Sequence, residues 1–315
     1  MSTPATTGCR PRIVDAHAHL YDARVNRHGI FQRRDPGFEA FVGDYAALPR
    51  WFLPDDYRAA AGSRDIAGII WHEFISDDPV REVAWAQQVA DASDLPMALV
   101  GLVDFADPGL PERLDTYHAF PNLTAVRQHL GWDADNPLRR FAARPDLLSD
   151  PRWLAGLARL EGTSLRCGLE VFAPQLRDVL AVVRRHPRIG FTIAVMGWPL
   201  RSGPEDFRRW QADMRALGHC DNTCASISAI ECIFGMGWTA EQVAPWITTV
   251  LESFGPGRCM FGSHLPITSL SHGFERLYQL YDSTVAGLSD AERDAVFRTT
   301  ASRWFRLPAR RDGNA

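Results

Sequence analysis

The stretch Ile13-Val-Asp-Ala-His-Ala-His-Leu20 decides the fold. It is short, apolar and β-branched at its start, and it carries imidazoles at i and i+2 near its end. In a strand those two positions face the same way. His17 and His19 therefore point together into whatever that strand end borders. Two imidazoles on one face can chelate a divalent metal or polarise a substrate. Asp15 has the same phase one layer deeper, where it is placed to orient an imidazole.

Seven further runs of this kind follow the first, 13–20: they are 66–74, 97–105, 123–130, 165–172, 189–196, 223–230 and 258–266. Between them, in segments such as 79–92, 151–160, 175–186 and 205–217, apolar residues recur every three or four positions, as amphipathic helices require. Alternation of strand and helix implies parallel pairing. Eight such units predict an α/β fold, a closed (β/α)8 TIM barrel rather than an open doubly wound sheet, with its working face at the C-terminal ends of the strands. The reading is of one barrel domain over 12–308, with a short disordered lead (1–11) and a tail (309–315). The connection after the first strand, 21–53, is unusually long and rich in Arg, Asp and aromatic residues. At this end of a barrel such a loop reads as a lid, the alternative being a surface excursion with a short helix. Ser289-Asp-Ala-Glu292 has the pattern of a capping box and opens the closing helices.

The chain is 46% hydrophobic, enough for a sizeable core, and its net charge of −4 comes with no basic block, so it offers nucleic acid no electrostatic footprint. No apolar run is long enough to span a bilayer, and residues 1–11 lack the apolar region of a secretory signal. The six cysteines form no Cys-x-x-Cys pair and read as small buried hydrophobes in a reducing cytoplasm. The spacing of Cys220 and Cys224 does not suit zinc.

The motif Asp15-Ala-His-Ala-His19 is followed by Leu53-Pro-Asp-Asp-Tyr57, Val126-Arg-Gln-His129, Arg144-Pro-Asp-Leu-Leu148, Leu169-Glu-Val171, Gly197-Trp-Pro199, Arg258-Cys-Met-Phe-Gly-Ser263 and Leu288-Ser-Asp-Ala-Glu-Arg293. On these segments, spread over nearly the whole chain, it resembles the amidohydrolase-related family that includes sugar-acid lactonases and 2-pyrone-4,6-dicarboxylate lactonase. The resemblance implies hydrolysis of a small cyclic ester or a related carboxylated substrate. Against the family pattern the site is degenerate. Metal-using relatives place a His at the end of strand six, where this chain has Val195. Relatives often carry an Asp at the end of strand eight, where this chain has His264, and many carry a strand-seven Lys where Ser226 stands.

Gly262 and His264 share a face of the last strand, so His264 is expected to converge with His17 and His19; these three are the candidate catalytic residues. Zinc is possible on His17, His19 and His264, with Glu73 adding an oxygen. With the strand-six His gone and no strand-eight carboxylate to activate water, the reading favours no tightly held metal and His264 as general base. Arg127 and His129, again i and i+2, suit a substrate carboxylate; the alternative pairs Arg127 with an inward acid such as Glu170. Of the neighbours His72 and Glu73, the resemblance favours Glu73 as the inward one. Trp71, Trp132 and Trp198 lie near strand ends, where they can wall a flat substrate. His272 is a marginal candidate, while His28, His118, His186 and His219 are assigned no chemistry.

The leading expectation is thus a lactone hydrolase in which His17 and His19 polarise the carbonyl and His264 delivers water. The alternatives are a metal-independent cyclisation, isomerisation, dehydration or decarboxylation, and a barrel that only binds. A small molecule is the expected partner, with no nucleic acid or membrane partner; a homodimer is possible.

Overall fold

A computed structural model describes residues 10–310. Most of the expected lead and tail lies outside the described residues. Eight strands alternate with helices in one parallel sheet: β1 (Ile13–Ala18), β2 (Ile66–His72), β3 (Met97–Leu102), β4 (Leu123–His129), β5 (Arg166–Glu170), β6 (Phe191–Ile193), β7 (Thr223–Ile227) and β8 (Cys259–Phe261). Each pairs with its sequence neighbour, and the order around the sheet is the order along the chain, as in a (β/α)8 barrel. The strands start within two residues of the starts of the apolar runs and stop one to five residues sooner. The remaining residues of each run form the loops at the barrel mouth.

The barrel closes there. The His264 backbone N–H donates to the His17 carbonyl at 2.7 Å, and the His19 N–H donates to the Leu265 carbonyl at 2.8 Å. Gly262 makes this seam possible, because a Cβ on it would sit 2.6 Å from the His17 Cβ. Inside, Val14, Ala16, Ile70, Ala98, Val100, Ala125, Cys224 and Met260 form a buried core, with Ala301 and Phe305 of the C-terminal segment packed into it. A much larger apolar layer fills the space between strands and helices.

The helices carry the sequence signals that begin helices. Pro79–Ala92 and Pro151–Ala158 each have Pro in the first turn and an Asp cap, Asp78 accepting from the Arg81 N–H and Asp150 from the Arg152 and Trp153 N–H groups. Ser289 and Glu292 form the reciprocal capping box. The 21–53 connection is tied at its ends by antiparallel pairing of Tyr21–Asp22 with Trp51–Phe52. Its middle folds into two short helices, Gly29–Gln32 and Pro36–Val42. No helix among the described residues is long and apolar enough to cross a membrane.

The seam gives a direct test. Gly262→Ala forces a methyl against the β1 backbone, and overpacking of this kind costs about 2–3 kcal/mol. Urea denaturation should show that loss; an unchanged midpoint would mean that β1 and β8 are not tightly joined.

Candidate active site

The three histidines meet at the mouth. Ring centroids are 4.9 Å apart for His17–His19, 4.8 Å for His17–His264 and 5.2 Å for His19–His264. One nitrogen from each lies within 4.8 Å of the others. Each ring is anchored through Nδ1. That of His17 meets Ser228 Oγ at 2.8 Å, that of His19 donates to the His72 carbonyl at 3.0 Å, and that of His264 donates to Glu231 Oε1 at 2.6 Å. These anchors leave Nε2 for the centre, and His17 Nε2 is buried with no hydrogen-bond partner. Burial, and then the neighbouring His72, hold His17 well below the usual histidine range; burial and His264 do the same to His19. Both are therefore neutral at physiological pH, the form that can offer a lone pair. Imidazoles fixed through Nδ1 by an outer partner, with Nε2 lone pairs converging, are the donor set a divalent metal takes.

The route of β1 to this arrangement differs from simple alternation. Its pairing register with β2 slips between Asp15 and Ala18, so Ala16 and His17 both border the barrel interior. Asp15 faces the outer layer. Its carboxylate accepts from the Tyr57 hydroxyl at 2.8 Å and the Ser263 N–H at 2.7 Å, and burial raises its pKa to about 6. It fastens the β1–β8 seam and touches the site only through the His17 backbone N–H, at 3.1 Å.

On β4, Ala125, Arg127 and His129 all face inward, but Arg127 is not a free clamp. Its Nε donates to Glu73 Oε1 at 2.8 Å, Nη1 to Glu170 Oε2 at 3.2 Å and Nη2 to the Glu73 carbonyl at 2.9 Å. His129 joins the same two acids, Nε2 lying 2.9 Å from Glu73 and Nδ1 3.1 Å from Glu170. The expected substrate carboxylate clamp is thus a buried network of two cations and two carboxylates, with Glu170 in the role the alternative reading gave it. Both His72 and Glu73 turn inward, because β2 ends at His72 and alternation ends with it. The His72 ring lies 4.3 Å from that of His17. Glu73, wholly buried, is occupied by Arg127 and His129 rather than offered to the centre. Trp71 faces out of the barrel and donates to the Leu20 carbonyl at 2.8 Å, so it walls nothing; Trp132 stacks with Arg140 outside the cavity. Trp198 does border the cavity. His272 donates to the Trp238 carbonyl and stays outside it.

The cavity over the three histidines measures about 200 Å³. Phe38, Phe41 and Val42 of the 21–53 connection roof it, so that connection does reach over the mouth. Phe74, Ile75, Phe141, Val195, Trp198, Ala229, Cys232 and Ile267 complete the wall. Ile75, Val195, Trp198, Ala229 and His264 all have positive φ, between 31° and 62°. Backbone strain of this kind clusters at functional sites. Sequence reasoning missed Ser228, Glu231, Cys232 and the phenylalanines. Glu231 had a signal: one acid inside the apolar run Ile227-Ser-Ala-Ile-Glu-Cys-Ile-Phe234 must be buried and so needs a partner.

The chain belongs to the amidohydrolase family, whose model matches residues 14–307. It is 28% identical over 305 residues to an L-fucono-1,5-lactonase of Burkholderia multivorans, covering 94% of this chain and 96% of that one. Protein y4mH of Sinorhizobium fredii is 27% identical over 300 residues, covering 94% and 98%. An amidohydrolase from Burkholderia multivorans, solved with bound zinc, superposes with a TM-score of 0.78 at 24% identity, covering 94% of this chain and all of that one. These likenesses agree with the lactonase branch of the family.

The network makes a pH prediction. Burial disfavours charge on His129, but Glu170 beside it overrides burial and raises its pKa from 6.5 to about 9. Its contribution to stability is therefore full below pH 6.5 and is lost as pH rises through about 9. In urea, the stability advantage of wild type over His129→Gln should shrink steadily between those two values. A flat difference would show that His129 is neutral in the fold.

Proposed function

We propose that this protein hydrolyses a small lactone at the His17, His19 and His264 centre. The observation that carries the reading is the convergence of three imidazoles, each tethered through Nδ1, at the floor of a partly roofed cavity at the C-terminal mouth of the barrel. The lactonase named among the relatives supports the substrate type.

In this reading the lactone carbonyl lies toward His17 and His19. His264 takes a proton from water at Nε2 as the water oxygen bonds to the carbonyl carbon. The ring C–O bond then breaks, and His264 returns the proton to the leaving alkoxide, so lactone and water become one hydroxy acid. Glu231 holds the Nδ1–H of His264 and supplies the negative charge that stabilises the protonated ring. It thereby provides, from the helix Ile230–Phe234, a carboxylate that β8 lacks. The neutral imidazoles and the unpartnered His17 Nε2 also fit a divalent metal. His17 and His19 would hold it, leaving Nε2 of His264 to take the proton, and such an ion would supply Lewis-acid polarisation of the carbonyl. This fit argues against the expectation of a metal-free centre.

The test is acid release from δ-valerolactone, followed with a pH indicator. Wild type should release acid, and His264→Asn should lower kcat by about a hundredfold or more with an unchanged circular dichroism spectrum. Glu231→Gln should lower kcat less and leave KM nearly unchanged, because it acts through His264. Wild-type protein that releases no acid, with or without added zinc, would overturn the reading.

A further inference from the structure

The walls of the cavity say more about the substrate than its floor. The charged and imidazole side chains bordering the cavity belong to the floor: His17, His19 and His264, and the Arg127, His129 and Glu170 network; the wall adds only the Cys232 thiol and the Trp198 indole N–H. The rest of the lining is aromatic or aliphatic. Phe41 stacks on Phe141 at 4.5 Å and meets Trp198 edge-on at 5.2 Å, so lid and barrel present one continuous ring-lined face. No hydroxyl, amide or carboxylate projects from it among the described residues.

Charge points the same way. Arg127 and His129 are the cations at the floor, and Glu73 and Glu170 neutralise both in a buried network. A substrate carboxylate would meet no uncompensated cationic side chain among the described residues lining the cavity. A sugar hydroxyl against the upper wall would lose its water and find no side-chain acceptor and, apart from the Cys232 thiol, no donor but the Trp198 indole N–H, which is costly. The rim adds an independent observation. Ile75 and Phe141 are 40% and 37% exposed, two of the five large hydrophobics left open to solvent among the described residues, and both border this mouth. Exposed apolar side chains grouped round a concave site mark what the site takes. Size sets the limit. A cavity of about 150 Å³ holds one benzene ring, so about 200 Å³ holds a ring with a small fused or attached group.

We propose that the substrate is an apolar, ring-bearing lactone of the size of a benzo-fused six-membered lactone, and that polyhydroxylated sugar lactones and dicarboxylates are poor substrates. The proposal rests on the lactonase reading for the bond that is cleaved and on the walls alone for the group that carries it. It separates this chain from the relative whose name gives L-fucono-1,5-lactone as substrate.

The experiment compares dihydrocoumarin with L-fucono-1,5-lactone on the intact protein, by kcat/KM and, separately, by calorimetric binding. Dihydrocoumarin should exceed the sugar lactone by about tenfold to a hundredfold in kcat/KM, the scale on which apolar pockets discriminate. Phe141→Ser, at a half-exposed position that tolerates change, should cut that ratio by about tenfold. A sugar lactone turned over as fast as dihydrocoumarin, or faster, overturns the proposal. If neither is hydrolysed, the binding arm decides: tighter binding of dihydrocoumarin supports the apolar class while the lactonase reading falls, and equal or tighter binding of the sugar lactone overturns the apolar class as well.

Discussion

The hydrogen bond from the His264 backbone N–H to the His17 carbonyl, 2.7 Å long, joins the first strand to the last. A barrel must bring those two strands together to remove its open edges. Here the junction falls at the residues that carry the imidazoles. His264 is held at φ 62°, a conformation its side chain disfavours, and Gly262 admits the His17 backbone where any larger residue would collide. Asp15 secures the same seam from outside through Ser263 and Tyr57. The convergence of His17, His19 and His264 is therefore a by-product of closure, and the centre inherits its rigidity from the barrel.

At and beneath this centre, burial and neighbouring cationic groups keep His17, His19 and His72 neutral. Burial lowers the pKa of His72 well below its usual range, and Arg127 beside it adds to that; His17 and His19 follow the same logic. Arg127 itself stays charged because Glu73 and Glu170 surround it, and Glu170 is held down to about 2, against burial, by His129 first and Arg127 next. Two cations and two carboxylates cancel there, so the floor is polar without net charge. Among the described residues, the carboxylate that bonds an imidazole of the three-histidine centre, Glu231, comes from outside β8 and approaches through His264. Breaking such a buried network by removing a single member is costly, because it strands the partners.

Much of this was legible in the sequence, and the exceptions have physical causes. The barrel was readable because eight apolar runs alternate with helical periodicity. The pairing of His17 with His19 was readable from strand period, although the register slip in β1 turned Asp15 to the opposite side. The lid was readable from the length of its connection. His72 was misjudged because period-two reasoning, which lets only one of the neighbours His72 and Glu73 face inward, was carried past the last residue of β2, and Trp71 because nearness to a strand end does not say which side a side chain takes. The two readings of Arg127 stayed open in the sequence because its partners lie just past β2 and on β5, and an inward arginine looks alike in sequence whether it meets a substrate or an acid. Glu231 and Phe141 stand on elements between strands, where no periodicity points toward the mouth.

The central claim is that closure holds the three imidazoles by Nδ1 and turns their Nε2 lone pairs toward one point. Nitrogen NMR of the imidazoles, on metal-free protein at neutral pH, tests this most directly and needs no substrate. His19 and His264 differ in their Nδ1 partners, a backbone carbonyl and the Glu231 carboxylate, so assignment through His19→Gln and His264→Asn keeps them apart. The account predicts a protonated Nδ1 and an unprotonated Nε2 in His19, and a proton on the Nδ1 of His264 that is shared with Glu231. A proton on Nε2 of His19, or an Nδ1 of His264 without a proton, would contradict it.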